Sequence, residues 1–244
     1  MPAPQASHFS QLARQSFRST SRGGMAGHAA QMAEATLRGG KGIDYEVFID
    51  KISAAICSAW SAWQSTAVMV GVLINGPVAV GGQVVGPPWT PLIVAQGPSQ
   101  NPEAVKMTRT IASVLGTAWL TFTATLKVTG MPWYPAFAAI PSPVAPPMPN
   151  IPCPVAALTM VTTSISKELL TAQMVGMDGS SSGEHKRLYA AIADAFEKIF
   201  NLWKSSTLVT NVLGTGPVPT FAPPYVPVGP VVSGVGTMIP GGFS

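Results

Sequence analysis

Residues 52–63 read ISAAICSAWSAW, residues 111–122 read IASVLGTAWLTF, and residues 192–203 read IADAFEKIFNLW. Each places apolar side chains at i, i+4, i+8 and i+11, with an aromatic at the last two places. The sets are Ile52, Ile56, Trp60 and Trp63; Ile111, Leu115, Trp119 and Phe122; and Ile192, Phe196, Phe200 and Trp203. That spacing lays the side chains along one slightly drifting stripe of an α-helix. The three segments therefore predict one helical unit used three times, each stripe buried by stacking against the other copies. In the third copy Asp194, Glu197, Lys198 and Lys204 mark a wetter face, where the first two copies carry small residues.

The segment after each stripe also recurs. Short runs rich in β-branched residues, at 67–77, 125–132 and 207–217, end in Gly and Pro. Such a run reads as a last helical turn or a strand. Pro-rich stretches come next, at 86–91, 131–154 and 217–230. Proline lacks a backbone donor and breaks helices, so these predict extended, polyproline-like loops. A further helix is expected over 155–174, after Pro152 and Pro154 and before Gly176. Residues 178–183, DGSSSG, read as a flexible connector. Asp50 is a candidate N-cap for the first striped helix.

The fold class expected is mainly α with short β segments, α+β, built of helix, apolar run and Pro-rich loop. The chain divides into three regions: a basic flexible arm over 1–42 with a short helix at 26–37, two units plus a linking helix over 43–177, and a third unit with a Pro/Gly-rich tail over 178–244.

Charged residues make up only 10% of the chain, against about 25% in an ordinary soluble domain, and mean hydropathy is +0.32. So few charges cannot keep a large surface soluble; surface must be covered by copies of the chain, other proteins or lipid. The net charge of +4 belongs to the arm, where Arg14, Arg18, Arg22, Arg38 and Lys41 face only Glu34. The arm reads as a solvated tail, and no nucleic-acid contact is expected beyond what this arm could make. Trp89, Trp133, Tyr134 and Tyr225 sit among prolines, giving rigid apolar surface, and are the candidate interface residues.

The chain offers little for catalysis. His8, His28 and His185 have no neighbours at metal-ligand spacing. Cys57 and Cys153 are isolated and read as small apolar residues. Residues 179–183 match GxSxG with Ser181 central, but no strand precedes them as a nucleophile elbow requires. No catalytic residue, cofactor or metal ligand is expected, and the chain reads as a non-enzyme.

The basic arm, the low-charge repeated helices, the segment VLINGP at 72–77 and the Pro-rich extension at 132–154 together resemble structural subunits of tailed-phage virions and of phage tail-like particles, contractile injection systems included. The resemblance lies in overall character. It implies an oligomeric assembly protein, made in the cytoplasm and located in a virion or assembled particle, whose partners are copies of itself and other particle proteins. The alternative is a membrane-associated or pore-forming protein inserting residues 52–75 and 111–130.

Overall fold

Apolar spacing and capping chemistry set six helices among the described residues: α1 (Ala6–Ser19), α2 (Tyr45–Thr66), α3 (Trp89–Gln96), α4 (Pro102–Thr125), α5 (Lys167–Asp178) and α6 (Gly183–Ser206). The computed structural model describes residues 3–20, 43–133, 144–180, 182–218, 221–222, 226–227 and 231–244. Three helices begin on a side-chain cap. Asp44 accepts from the N–H groups of Glu46 and Val47, Asn101 from that of Ala104, and Ser166 from that of Leu169. Each cap satisfies helix-end donors that have no partner inside the helix. Asp44 thus holds the role expected of Asp50, which lies inside α2 and pairs with Arg14.

The three striped helices are α2, α4 and α6, and all twelve stripe residues are buried. Their aromatic ends meet inside the chain. The Trp60 ring lies 4.9 Å from Trp119, 5.5 Å from Phe196 and 5.6 Å from Trp203, while Phe122 meets Phe200 edge-on at 4.9 Å. Tilted and edge-on contacts at these distances are the favoured geometries of aromatic pairs.

After each striped helix the chain turns into a strand: β1 (Val68–Asn75) after α2, β3 (Val128–Pro132) after α4, and β6 (Leu208–Val209) then β7 (Val212–Pro217) after α6. Together with β2 (Val78–Val85), β4 (Val144–Pro149) and β10 (Gly234–Met238), the strands β1, β3 and β7 form a six-stranded sheet in the order β3-β2-β1-β10-β7-β4, antiparallel throughout. Two small pairs accompany it, β5 (Cys153–Pro154) with β6, and β8 (Phe221–Ala222) with β9 (Val226–Pro227). The fold is therefore α+β and mainly helical.

Prolines sit on both edges of the large sheet: Pro132 on β3, and Pro146, Pro147 and Pro149 on β4. Edge strands tolerate them because one side of the strand needs no ladder donor. At one end the edges come together. Ile151, just past β4, donates its N–H to the Pro132 carbonyl at 3.2 Å, and Asn150 Nδ2 lies 3.4 Å from the Met131 sulfur. The sheet thus curls around its buried face, where Met69, Val72 and Ile74 of β1 and Trp133 lie.

Several expectations need correction. Residues 6–19 are no flexible arm: Phe9, Ala13 and Phe17 stand at helical spacing and are buried, and Arg14 and Arg18 pair with Asp50 and Glu46 of α2. Arg187 caps the contact, its guanidinium 4.4 Å above the Phe17 ring. The helix expected at 26–37 lies outside the described residues. Across the expected boundary at 177/178 the chain shares one sheet: β10, from the C-terminal stretch, lies between β1 and β7, and β4 pairs with β7. Residues 155–174 are not one helix. Backbone bonds from Val155 to Thr207 and between Lys127 and Thr159 hold the first part, leaving two 3-10 turns before α5. Finally, the Pro-rich stretches are not all loops: 89–96 is helix α3 and 144–149 is edge strand β4.

Candidate interaction surface

The six strands of the large sheet contain no ionisable residue. Apart from Lys127, every described Asp, Glu, Lys and Arg lies on a helix or its N-cap. The molecule therefore has a charged helical side and a neutral sheet side.

Alternation along each strand sends one set of side chains into the core and the other outward. Register aligns the outward set into a row across five strands: Thr129, Val80, Leu73, Val235 and Thr215, each opposite the next. All five are exposed, Leu73 by 51%, Val235 by 50% and Val80 by 42%. Val78, on the same face of β2, and Val144 on β4 are exposed as well. Single exposed apolar residues are ordinary, whereas contiguous apolar ones make this face the candidate interaction surface. The edges are poor templates for further strands, since their prolines cannot donate.

The interface residues expected from sequence do not form this surface. Trp89 and Trp133 are buried: Trp89 stacks on Trp119 at 4.1 Å, and Trp133 fills the curl of the sheet. Both pack against the chain's own helices and strands. Tyr134 and Tyr225 lie outside the described residues. The sheet-face row had a weak sequence signal, a run of alternating Val and Leu without charge, but which side of each strand faces out is set by pairing across distant segments.

A buried polar cluster at the helix ends was also not visible in the sequence. His185, in the first turn of α6, places Nδ1 2.7 Å from Asp178 Oδ2 and Nε2 2.8 Å from Glu103 Oε1. Lys106 Nζ lies 3.1 Å from the other Asp178 oxygen. Burial pushes the Asp178 carboxyl up, but hydrogen bonds and charge from His185 and Lys106 outweigh it and hold the group below the usual carboxylate range. Tyr45, edge-on to the His185 ring, is pushed up to about 12 by burial and by the charges of Glu103 and Glu184. The cluster ties together the ends of α4, α5 and α6. Asp178 and His185 stand seven positions apart, a hint of proximity, but Glu103 arrives from a distant helix. No group of three or more His, Cys, Asp or Glu among the described residues is arranged to hold a metal ion. Burial pushes the Cys57 thiol up to about 12, which keeps it protonated and unreactive at neutral pH.

Among the described residues no helix is long and apolar enough to cross a membrane. Residues 52–75 are divided between α2 and β1, and residues 111–130 between α4 and β3. Comparison with protein-family models, with curated proteins and with solved structures gives no match.

Proposed function

We propose that this chain is a non-enzymatic structural subunit of a large multi-protein particle of the phage virion or phage tail-like kind. It docks onto copies of itself or onto other particle proteins through the outer face of the six-stranded sheet. The observation that carries the reading is the exposed Val80–Leu73–Val235 row on a sheet without ionisable residues. A soluble partnerless protein places charge on such a face; this one confines charge to its helices. The particle class rests on the resemblance in overall character, and the location comes with it: synthesis in the cytoplasm, then incorporation into the assembled particle.

Light scattering on the purified full chain tests the reading. A defined oligomer, or concentration-dependent growth of mass, is expected. A monodisperse species of 25.3 kDa at micromolar to millimolar concentration contradicts it.

A further inference from the structure

The outer sheet face has a counterpart elsewhere on the chain. At the end of β2 an open cleft of about 290 Å³ lies between β2, α3 and α4. Val85 from β2 and Thr117 and Leu120 from α4 stand exposed along it, Leu120 by 69%. None of its lining residues is ionisable. Nor is any residue of α3, and α4 has no ionisable residue after Arg109. The other four helices all carry them, among them Arg14, Glu46, Lys167 and Lys198. An uncharged row seated on those helices would strip water from charge without replacing it. On the cleft it strips none.

Shape points the same way. The contacts of Ile151 with Pro132 and of Asn150 with Met131 curl the sheet around its core, so its outer face is convex. Two convex faces meet only along a strip. With strands about 4.8 Å apart and residues about 3.3 Å apart, a strip about three strands by six residues covers roughly 600 Å² over both copies. A specific interface takes about 1,000 Å² or more. A cleft walled by β2, α3 and α4 covers the flanks of a convex row as well as its crest. Val85 stands five positions along β2 from Val80, about 17 Å, so one chain has room to offer its row and its cleft at the same time.

We propose that the cleft receives a second copy of this chain, seated by the Val80–Leu73–Val235 row of its sheet, so that copies join head to tail. The inference rests on the docking reading above and names the partner and its site. A contact between two different patches leaves a face and a cleft open at the ends of every intermediate, and it runs on to a closed ring or a filament. A face-to-face contact stops at a dimer.

Sedimentation velocity on the full chain tests this with two variants. The face variant is Leu73→Lys/Val235→Lys. The cleft variant is Thr117→Lys/Leu120→Lys, at exposed helix positions where lysine is a good helix former. The wild type is expected to exceed a dimer. Each variant alone is expected at 25.3 kDa, its self-association at least about 10-fold weaker. The face variant keeps a cleft and the cleft variant keeps a face. Their equimolar mixture is therefore expected to form a heterodimer of twice that mass and nothing larger. Cooperative melts check folding, and Thr117→Glu/Leu120→Glu is expected to act as the lysine pair does. The inference is overturned, with docking through the sheet face intact, if both cleft variants assemble as the wild type does, if the mixture stays monomeric, or if the wild type stops at a dimer. If the face variant assembles as the wild type does, or the wild type is monomeric, the docking reading falls and this inference with it.

Discussion

The Trp203 indole donates to Oε1 of Gln64 at 3.0 Å, and Gln64 in turn donates from Nε2 to the Phe243 carbonyl at 3.0 Å. One buried amide thus joins α2 to α6 and both to the C-terminal residues. Gln64→Leu fills similar volume but strands a buried donor and a buried acceptor, each costing about 1–3 kcal/mol. Urea denaturation is expected to show a loss of roughly 2–4 kcal/mol, and a loss below about 0.5 kcal/mol would show that the bridge is not holding the C-terminus.

Acid should weaken the fold through Asp178 and Asp194. Both carboxyls sit below their ordinary range: burial raises each, but His185 and Lys106 outweigh it at Asp178, and Lys198 and Lys167 at Asp194. A carboxyl with a lowered folded-state pKa stabilises fully above its unfolded value, about 3.9, and the contribution disappears as pH falls through the folded value. The urea midpoint is therefore expected to hold from pH 7 to about pH 5 and to drop below about pH 4. Asp178→Asn should start lower at pH 7 and fall less steeply in acid. A parallel pair of curves would contradict the assignment.

Two glycines should respond in opposite ways to alanine. A Cβ on Gly214 would overlap Ile74 Cδ1 and come within 2.5 Å of Trp133 Cζ2, so Gly214→Ala overpacks the curl and is expected to cost about 1–3 kcal/mol. Gly176, inside α5, meets nothing within 4 Å. Gly176→Ala should stabilise by roughly 0.5–1 kcal/mol through helix propensity. Thermal melts of the two variants check both signs.

How much of the fold was legible in the sequence depended on whether the signal was local. The three stripes were, because 3.6-residue periodicity is written within a dozen residues, and Trp60, Trp119 and Phe200 lie where that period puts them. The strands after α2, α4 and α6 were half legible: β-branched runs such as 67–77 marked extended chain, but not that β10 would insert between β1 and β7. Pairing partners so far apart leave no local trace, and so the outward row through Leu73 and Val235 stayed hidden. The packed helix at 6–19 is hidden because Phe9, Ala13 and Phe17 are spread among Ser, Gln and Arg, and a short apolar stripe in a polar segment looks like composition rather than structure. The prolines beside Trp89 and Trp133 suggested outward display, yet a rigid turn can aim a side chain inward just as well. The His185 cluster joins three helix ends by contacts that no spacing rule encodes.

On the docking proposal, the neutral sheet face is where this chain meets its neighbours. Sedimentation velocity on the wild type and on Leu73→Lys/Val235→Lys decides this, with circular dichroism melts as a control for folding. Two like charges directly opposite each other on adjacent strands cost the monomer up to about 1 kcal/mol but make a buried contact prohibitive. The wild type is predicted to sediment as an assembly, and the double variant, its melt still cooperative and lowered by no more than about 4 °C, at 25.3 kDa. A double variant that assembles as the wild type does, or a wild type that is itself monomeric, would rule out docking through this face.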